Sequence, residues 1–194
     1  MTTDRRYTTV VADPPWRYKE PGQFVKPRSP LNCASAAARY PTMGLAEICE
    51  LPVYRLLADN AHLYLWTTNS FMREAYDVAA AWGFRPKTIL TWVKTCKGGE
   101  PRRPSMRMGY YYRSATEHVL FCVRGSLRLT GPAAPTAFHF PRLAHSVKPD
   151  GFLDMVEAQS PGPYLEMFAR RTRPGWDAFG NEIGAATIVL PGAA

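Results

Sequence analysis

Cysteines are few in this sequence, and long apolar runs are missing. The four cysteines, at positions 33, 49, 96 and 122, are far apart and form no C-x-x-C pair. This spacing argues against a disulfide framework or a zinc knuckle, and free thiols are typical of a reducing cytoplasm. No apolar segment approaches the roughly 18 residues of a membrane-spanning helix, and the N-terminus lacks a signal peptide's apolar stretch. We therefore expect a cytoplasmic protein with no membrane partner.

Acidic residues are also scarce relative to basic ones. The 194 residues include 16 Asp and Glu against 24 Lys and Arg, so the net charge is +8. Residues 97–148 contain nine basic and two acidic residues, and this window alone accounts for +7. Such an excess favours a polyanionic partner, although it identifies no chemistry. The length suits one domain, predicted at residues 1–184 with a tail at 185–194.

Segments that favour strands alternate with segments that favour helices. Apolar and β-branched runs predict strands at 7–12, 61–67, 87–94, 117–124, 164–169 and 176–179. Helical patterns occur at 45–51, 53–58, 71–82, where Ser70 is the predicted N-cap, and 149–158. Residues 17–43, 96–116 and 125–147 are predicted loops. This order predicts a single Rossmann-like α/β domain with a mostly parallel sheet flanked by helices.

The string Asp13-Pro14-Pro15-Trp16 directly follows the first predicted strand. Ligands of parallel sheets bind at the carboxyl ends of the strands, so Asp13 is placed for chemistry. Methyl transfer to an exocyclic amine needs acceptors for both amine hydrogens, and the Asp13 carboxylate and the Pro14 carbonyl are suitable. Pro15 adds no competing N–H, and Trp16 offers a ring on which a base stacks. The alternative is that the string only ends a strand and Trp16 packs in the core.

This string resembles the catalytic tetrapeptide of amino-methyltransferases that use S-adenosylmethionine. The rest of the chain resembles the METTL-type adenine N(6)-methyltransferases, the relatives of the catalytic subunit of the eukaryotic mRNA N(6)-adenosine methyltransferase. Matching strings follow the family's order from about residue 8 to 184: YPTM at 40–43, LYLW at 63–66, TWVK at 91–94, EH at 117–118, VRG at 123–125, KPD at 148–150, EMF at 166–168, PGW at 174–176 and GN at 180–181.

The resemblance implies a permuted domain, with the catalytic motif first and the main cofactor segment last. Lys148 would then meet the carboxylate of S-adenosylmethionine, as suits an ammonium point charge. Asp13 would also face the donor's ammonium group, and Arg170, Asn181 and Glu182 would reach its ribose hydroxyls. Glu182 departs from the eukaryotic enzyme, which has an amide there, but a carboxylate also accepts hydrogen bonds from a ribose.

The basic window carries the candidate nucleic-acid residues. By resemblance, Tyr40 and the loop with Tyr111 and Arg113 border the pocket for the target base. Aromatic and basic residues together suit base stacking and phosphate neutralisation; the alternative is an aromatic cluster that packs the loop onto the sheet. Three arginines are predicted to contact phosphates; the alternative is that they form a solvated basic face: Arg102, Arg103 and Arg107.

Other polar and aromatic residues are assigned structural roles. His62, His139 and His145 have no metal-ligand partner at a useful spacing, so no metal is predicted. Glu117 and His118 begin a predicted strand, where an ion-pair or hydrogen-bonding role is favoured over general base catalysis because an alkylated amine readily loses its proton. The tryptophans outside the tetrapeptide are expected in the core: Trp66, Trp82, Trp92 and Trp176.

The resemblance predicts an adenine N(6)-methyltransferase that acts on nucleic acid. DNA is favoured over RNA because compact one-domain relatives are typical of bacteria and phages. The alternatives are an RNA adenosine N(6)-methyltransferase, a nucleic-acid-binding subunit with an idle pocket, and methylation of a protein amide. We expect a monomer or homodimer, with a partner subunit as a further option.

Overall fold

A seven-stranded sheet lies at the centre of the described chain, which the computed structural model defines at residues 6–18, 41–96, 104–106, 111–143, 147–183, 188 and 190. Its strands are β1 (Tyr7–Ala12), β2 (Leu57–Thr67), β3 (Arg85–Thr95), β4 (Thr116–Arg124), β5 (Ala137–Pro141), β6 (Tyr164–Met167) and β7 (Trp176–Phe179). The helices are α1 (Leu45–Cys49), α2 (Met72–Ala81) and α3 (Asp150–Gln159), with 3₁₀ turns at Val53–Leu56 and Asn69–Phe71. Among the described residues, none of the helices is long and apolar enough to cross a membrane.

The strand directions place most strand ends at one edge of the sheet. The order is β5-β3-β4-β2-β1-β6-β7. Only β4 is antiparallel to its neighbours, β2 and β3, while the other four neighbouring pairs are parallel. Six strands therefore end at the same edge, and β4 begins there. The predicted Rossmann-like α/β domain with a mostly parallel sheet is confirmed, and the sheet is mixed because of β4.

Both faces of the sheet are covered, which explains the continuous buried runs in the central strands β1, β2 and β4. On one face, Ile48 of α1 and Val78 of α2 pack with Leu63 and Leu65. On the other face, α3 packs against alternate strand residues, including Trp66. The four tryptophans predicted in the core are at most 5% exposed: Trp66, Trp82, Trp92 and Trp176.

The start of α2 differs from the prediction. Ser70 is not its N-cap, because the chain enters the helix through the 3₁₀ turn Asn69–Phe71, and the helix begins at Met72 without a side-chain cap. The amide of Phe71 donates to the carbonyl of Thr68 within that turn. The end is as predicted, since Gly83 follows the helix with a φ of +81°, a conformation that favours glycine.

The prediction of an unbroken loop over 125–147 is wrong, because β5 lies within it. This short edge strand pairs in parallel with the second half of β3, where Trp92 is opposite Phe138. Five residues that end in a proline give a weak local signal, so the strand depends on hydrogen bonds to β3. Strand β2 also begins earlier than predicted, at Leu57. Most of the predicted loops at 17–43 and 96–116 lie outside the described residues.

Candidate active site

A cavity of about 500 Å³ opens at the edge where the parallel strands end. This volume suits a small-molecule ligand. Each strand from β1 to β6 supplies lining residues from its end at this edge, and the lining includes Asp13, Thr67, Lys94, Glu117, Arg142 and Arg170, together with Lys148 from the segment before α3. The fold therefore brings together residues that are up to 157 positions apart, as the carboxyl-edge rule for such sheets predicts.

Backbone hydrogen bonds fix the turn that carries the tetrapeptide. The Asp13 amide donates to the carbonyl of Met167 at the end of β6, at 3.4 Å. The Trp16 amide donates to the Pro14 carbonyl at 2.8 Å, and the Met43 amide donates to the Pro15 carbonyl at 2.8 Å. All four tetrapeptide residues line the cavity. The turn is thus held by β6 on one side and by the segment before α1 on the other.

The Trp16 ring belongs to the core as well as to the cavity wall. It is 7% exposed, and its indole N–H donates to the carbonyl of Trp66 at 3.2 Å. The ring stacks on Phe71 with centroids 5.4 Å apart and planes 13° from parallel. Core packing and cavity lining were alternatives for Trp16 from the sequence; in the structure the residue does both.

A chain of alternating charges crosses the cavity. The Lys148 ammonium donates to Asp13 Oδ2 at 2.7 Å and lies 3.4 Å from Glu117 Oε2. The other Glu117 oxygen pairs with Lys94. The Lys148 ammonium also lies 5.2 Å from the centroid of the Trp66 ring, a cation–π arrangement. The predicted ion-pair role of Glu117 is confirmed. The tertiary structure identifies its partners as Lys94 and Lys148.

Burial and neighbouring charges shift the pKa values of these groups in opposite directions. Burial raises the pKa of the Asp13 carboxyl, although Lys148 opposes the shift. Burial alone would lower the pKa of the Lys148 ammonium, but the carboxylates of Asp13 and Glu117 outweigh it and raise that pKa. For Glu117, burial favours the neutral acid, but Lys148 and Lys94 outweigh it and lower the pKa. Lys148 and Glu117 are therefore both held in their charged forms.

The predicted ribose-binding residues lie after β6 and β7. Arg170 lines the cavity, and its Nε atom lies 3.3 Å from Glu182 Oε1. Asn181 directly follows the turn after β7 and is exposed. The two strand ends touch, because the Ala169 amide donates to the Phe179 carbonyl at 2.9 Å. The structure thus brings Arg170 and Glu182 together beside the cavity.

Only part of the predicted nucleic-acid surface lies within the described residues. Tyr111 is 97% exposed and Tyr112 is 93% exposed, which excludes the alternative that these two rings pack onto the sheet. Arg113 is also exposed. The segment borders the cavity, because Ser114 lines it. The remaining predicted contacts lie outside the described residues: Tyr40, Arg102, Arg103 and Arg107.

Three residues near the cavity were not singled out from the sequence. Tyr18, two positions after the tetrapeptide, lines the cavity wall. Its position shortly after the end of β1 could have indicated this, because ligands bind at the carboxyl ends of parallel strands. Arg142 also lines the cavity but follows β5, a strand that the sequence analysis missed. Glu166 lies in the centre of β6, where burial and the Asp13 carboxylate raise its pKa to about 7. No local sequence signal marks that shift.

His62 and His118 make hydrogen-bonding contacts within the fold. His62 is fully buried, and its Nδ1 atom lies 2.8 Å from Ser160 Oγ. His118 lies within hydrogen-bonding distance of Thr91 and Asn69. Within the described ranges, no group of three or more His, Cys, Asp or Glu residues is placed to hold a metal ion.

Comparison with known sequences identifies the family. The MT-A70 family model matches residues 7–182, nearly the whole of the described fold. The chain belongs to the MT-A70 family. This MT-A70 protein is 30% identical to the type II methyltransferase M.MunI of a Mycoplasma species, over 96% of its own length and 82% of that relative. The resemblance seen in the sequence is confirmed, and with it the prediction of a methyltransferase enzyme.

Eukaryotic MT-A70 relatives are longer. The chain is 26% identical to the human N(6)-adenine-specific methyltransferase METTL4 and covers 38% of it. It is also 26% identical to the human N(6)-adenosine-methyltransferase catalytic subunit METTL3 and covers 30% of that protein. The chain thus spans well under half the length of these two relatives.

Proposed function

We propose that this MT-A70 protein transfers a methyl group from S-adenosylmethionine to the N6 amine of adenine in nucleic acid, with DNA favoured over RNA. The observation that carries the proposal is the juxtaposition of Asp13 and Pro14 with Lys148 and Arg170 around one cavity. Asp13 and Pro14 offer hydrogen-bond acceptors for the target amine, and Lys148 and Arg170 offer positive charges for S-adenosylmethionine.

The charged side chains of the cavity fit the zwitterionic methionine portion of S-adenosylmethionine. A half-buried carboxylate and a half-buried ammonium lie side by side in the cavity, on Asp13 and Lys148. Lys148 would hold the carboxylate of the cofactor, and Asp13 would face its ammonium. Arg170, Asn181 and Glu182 would bind the ribose hydroxyls. When bound, S-adenosylmethionine supplies an electrophilic methyl group on a sulfonium.

The tetrapeptide supplies two hydrogen-bond acceptors for the target amine. The Pro14 carbonyl accepts one hydrogen bond from the Trp16 amide, and a carbonyl oxygen has two lone pairs, so a second bond is available. The contact with Lys148 uses one acceptor position of the Asp13 carboxylate, on Oδ2. A carboxylate has about four such positions, so it can also accept hydrogen bonds from the amine and from the cofactor's ammonium. Two acceptors on the amine hydrogens draw the nitrogen lone pair out of the ring and stabilise the positive charge that develops on nitrogen. With the cofactor bound, these acceptors would orient the amine toward its methyl group.

A nucleic-acid substrate fits the aromatic and basic residues at this edge that have no role toward the cofactor. Arg142 lines the cavity, and exposed Tyr111 and Arg113 border it. We propose that Tyr40, Arg102, Arg103 and Arg107 complete this surface. A target adenine in a duplex must leave the base stack to reach Asp13. This extrusion costs roughly a few kcal/mol, as it does for other enzymes that modify bases. The compact relative M.MunI, most of whose length is matched, supports the preference for DNA.

The test is methylation of matched DNA and RNA oligonucleotides with deuterated S-adenosylmethionine, followed by nucleoside mass spectrometry. We expect labelled N6-methyladenine from DNA at a higher rate than from RNA. Label on cytosine, or on protein rather than nucleic acid, would contradict the proposed function. Calorimetric titration with S-adenosylmethionine tests the cofactor, and absence of binding would contradict its use.

Asp13→Ala should lower the methylation rate at least about 100-fold, because the variant loses one acceptor of the target amine. Its affinity for nucleic acid should change little, since the proposed contact of Asp13 is with the amine of one base, whereas phosphate contacts dominate the affinity. The matched control is Asp77→Ala on the exposed side of α2, which should retain wild-type rates. Turnover by Asp13→Ala at a wild-type rate would refute the role of this carboxylate.

A further inference from the structure

Three aromatic rings extend from the core to the cavity wall. Trp16 is the inner ring, stacked on Phe71 and 7% exposed. Tyr18 is the outer ring: it contacts Phe71 edge-on, with centroids 4.6 Å apart and planes at 75°, and it is 48% exposed. Trp16 and Tyr18 both line the cavity, but most of the accessible aromatic surface belongs to Tyr18.

Trp16 is committed to the fold. One face of its ring packs on Phe71, and its N–H is bonded to the carbonyl at the end of β2. Because only 7% of Trp16 is exposed, little of its ring surface is left for a base to stack on. Trp16 therefore suits a positioning role, in which it anchors the turn that presents Asp13 and Pro14.

Tyr18 is positioned from β2 but remains accessible. Its hydroxyl lies 3.3 Å from Thr68 Oγ1, and its ring contacts Phe71; both partners follow directly after the end of β2. Thr68 also lines the cavity. Because Tyr18 is five residues after Asp13 and is held by this edge of the sheet, its ring is fixed on the same wall as the amine acceptors.

We propose that Tyr18, rather than Trp16, provides the ring on which the target adenine stacks. The inference rests on the proposed function, because it assumes a nucleobase whose amine reaches Asp13 and Pro14. Stacking uses the ring and not the hydroxyl, so phenylalanine replaces Tyr18 without loss, whereas alanine does not. The edge-on contact with Phe71 keeps the ring in position without the hydroxyl.

The test uses the oligonucleotide that the wild-type protein methylates best. Tyr18→Ala should raise the KM for that oligonucleotide about 10-fold to 100-fold, the range of a lost base–aromatic stack. Tyr18→Phe should stay within about threefold of wild type. Calorimetric affinity for S-adenosylmethionine and the melting temperature should be unchanged in both variants. The matched control is Tyr76→Ala, which removes a ring of similar exposure on α2, away from the cavity.

A second measurement reports on the stack directly. With 2-aminopurine in place of the target adenine, the wild-type complex should show quenched fluorescence, and the Tyr18→Ala complex should be brighter. Unchanged KM and unchanged quenching in Tyr18→Ala would overturn the inference alone, and so would a Tyr18→Phe variant as impaired as Tyr18→Ala. If the wild-type protein methylates no adenine in DNA or RNA, the proposed function fails and the inference fails with it.

Discussion

The pKa of Glu166, a half-buried residue, depends strongly on its surroundings. It lies in β6 between Val11 of β1 and Ala178 of β7. Burial, reinforced by the Asp13 carboxylate and opposed by Arg173, raises its pKa from 4.5 to about 7. A group whose pKa is higher in the folded state favours folding at low pH. Its contribution is complete below about pH 4.5 and is lost as the pH rises through about 7.

Glu166→Gln should therefore remove part of the pH dependence of stability. At pH 8 we expect the variant to be more stable than wild type by about 1–3 kcal/mol, because it buries no charge. At pH 4.5 the two proteins should unfold at similar temperatures. The measurement is thermal unfolding from pH 4.5 to 8.5, with Glu50→Gln, an exposed glutamate after α1, as the control. Equal stability of Glu166→Gln and wild type at pH 8 would contradict the shifted pKa.

At the scale of elements, the ends of β6 and β7 form one unit beside the cavity. Phe168, just after β6, has a φ of +62°, and the chain then turns to Arg170. A side chain at Gly180 would clash with the carbonyl oxygen of Ala169. Glycine is needed there for close approach of two backbones rather than for an unusual φ. This approach sets the distance between Arg170 and the residues that follow β7.

Gly180→Ala should separate these two strand ends and displace Arg170 and Glu182. We expect S-adenosylmethionine affinity to fall about tenfold or more, with a loss of stability of about 1–3 kcal/mol, as in overpacked sites. The control is Gly175→Ala, where φ is +81° but no atom lies near the added carbon. It should cost about 1 kcal/mol of stability without weakening cofactor binding. Unchanged cofactor affinity in Gly180→Ala would show that this approach does not shape the site.

At the scale of the whole molecule, the position of the positive charge says more about nucleic-acid binding than the net charge does. Residues 97–148 carry +7 of the net +8. Strand β4 crosses this window in the direction opposite to all other strands, so its first residues and the ends of β3 and β5 meet at the cavity edge. Among the described basic residues of this window, Arg142 and Lys148 line the cavity and Arg113 lies beside it, whereas Arg124 ends β4 at the opposite edge of the sheet.

Charge reversal of Arg102, Arg103 and Arg107 to glutamate should weaken nucleic-acid binding and flatten its salt dependence. The slope of log K against log salt should fall by up to about 3, since each phosphate contact contributes about 0.9. The control reverses three exposed basic residues outside the window, Arg55, Arg73 and Lys87, with the same change in net charge. A salt slope that matches wild type in the first variant would mean that these arginines do not contact phosphates.

The fold class and the catalytic turn were predictable because both depend on local patterns. Periodicity marked six of the seven strands, and a rigid proline turn after β1 marked Asp13. Strand β5 was missed because a short edge strand acquires its structure from its partner β3. The predicted N-cap at Ser70 is wrong because a 3₁₀ turn before α2 leaves no distinct pattern in the sequence.

By itself, the sequence determined the fold class, the family and the order of the motifs, since these follow from residue type and spacing. Only the tertiary structure decided that Lys148 lies between Asp13 and Glu117, and that Trp16 is mostly buried while Tyr18 presents the more exposed ring to the cavity. These relations join residues from different strand ends. Their distances depend on strand direction and packing, which no local stretch of sequence contains.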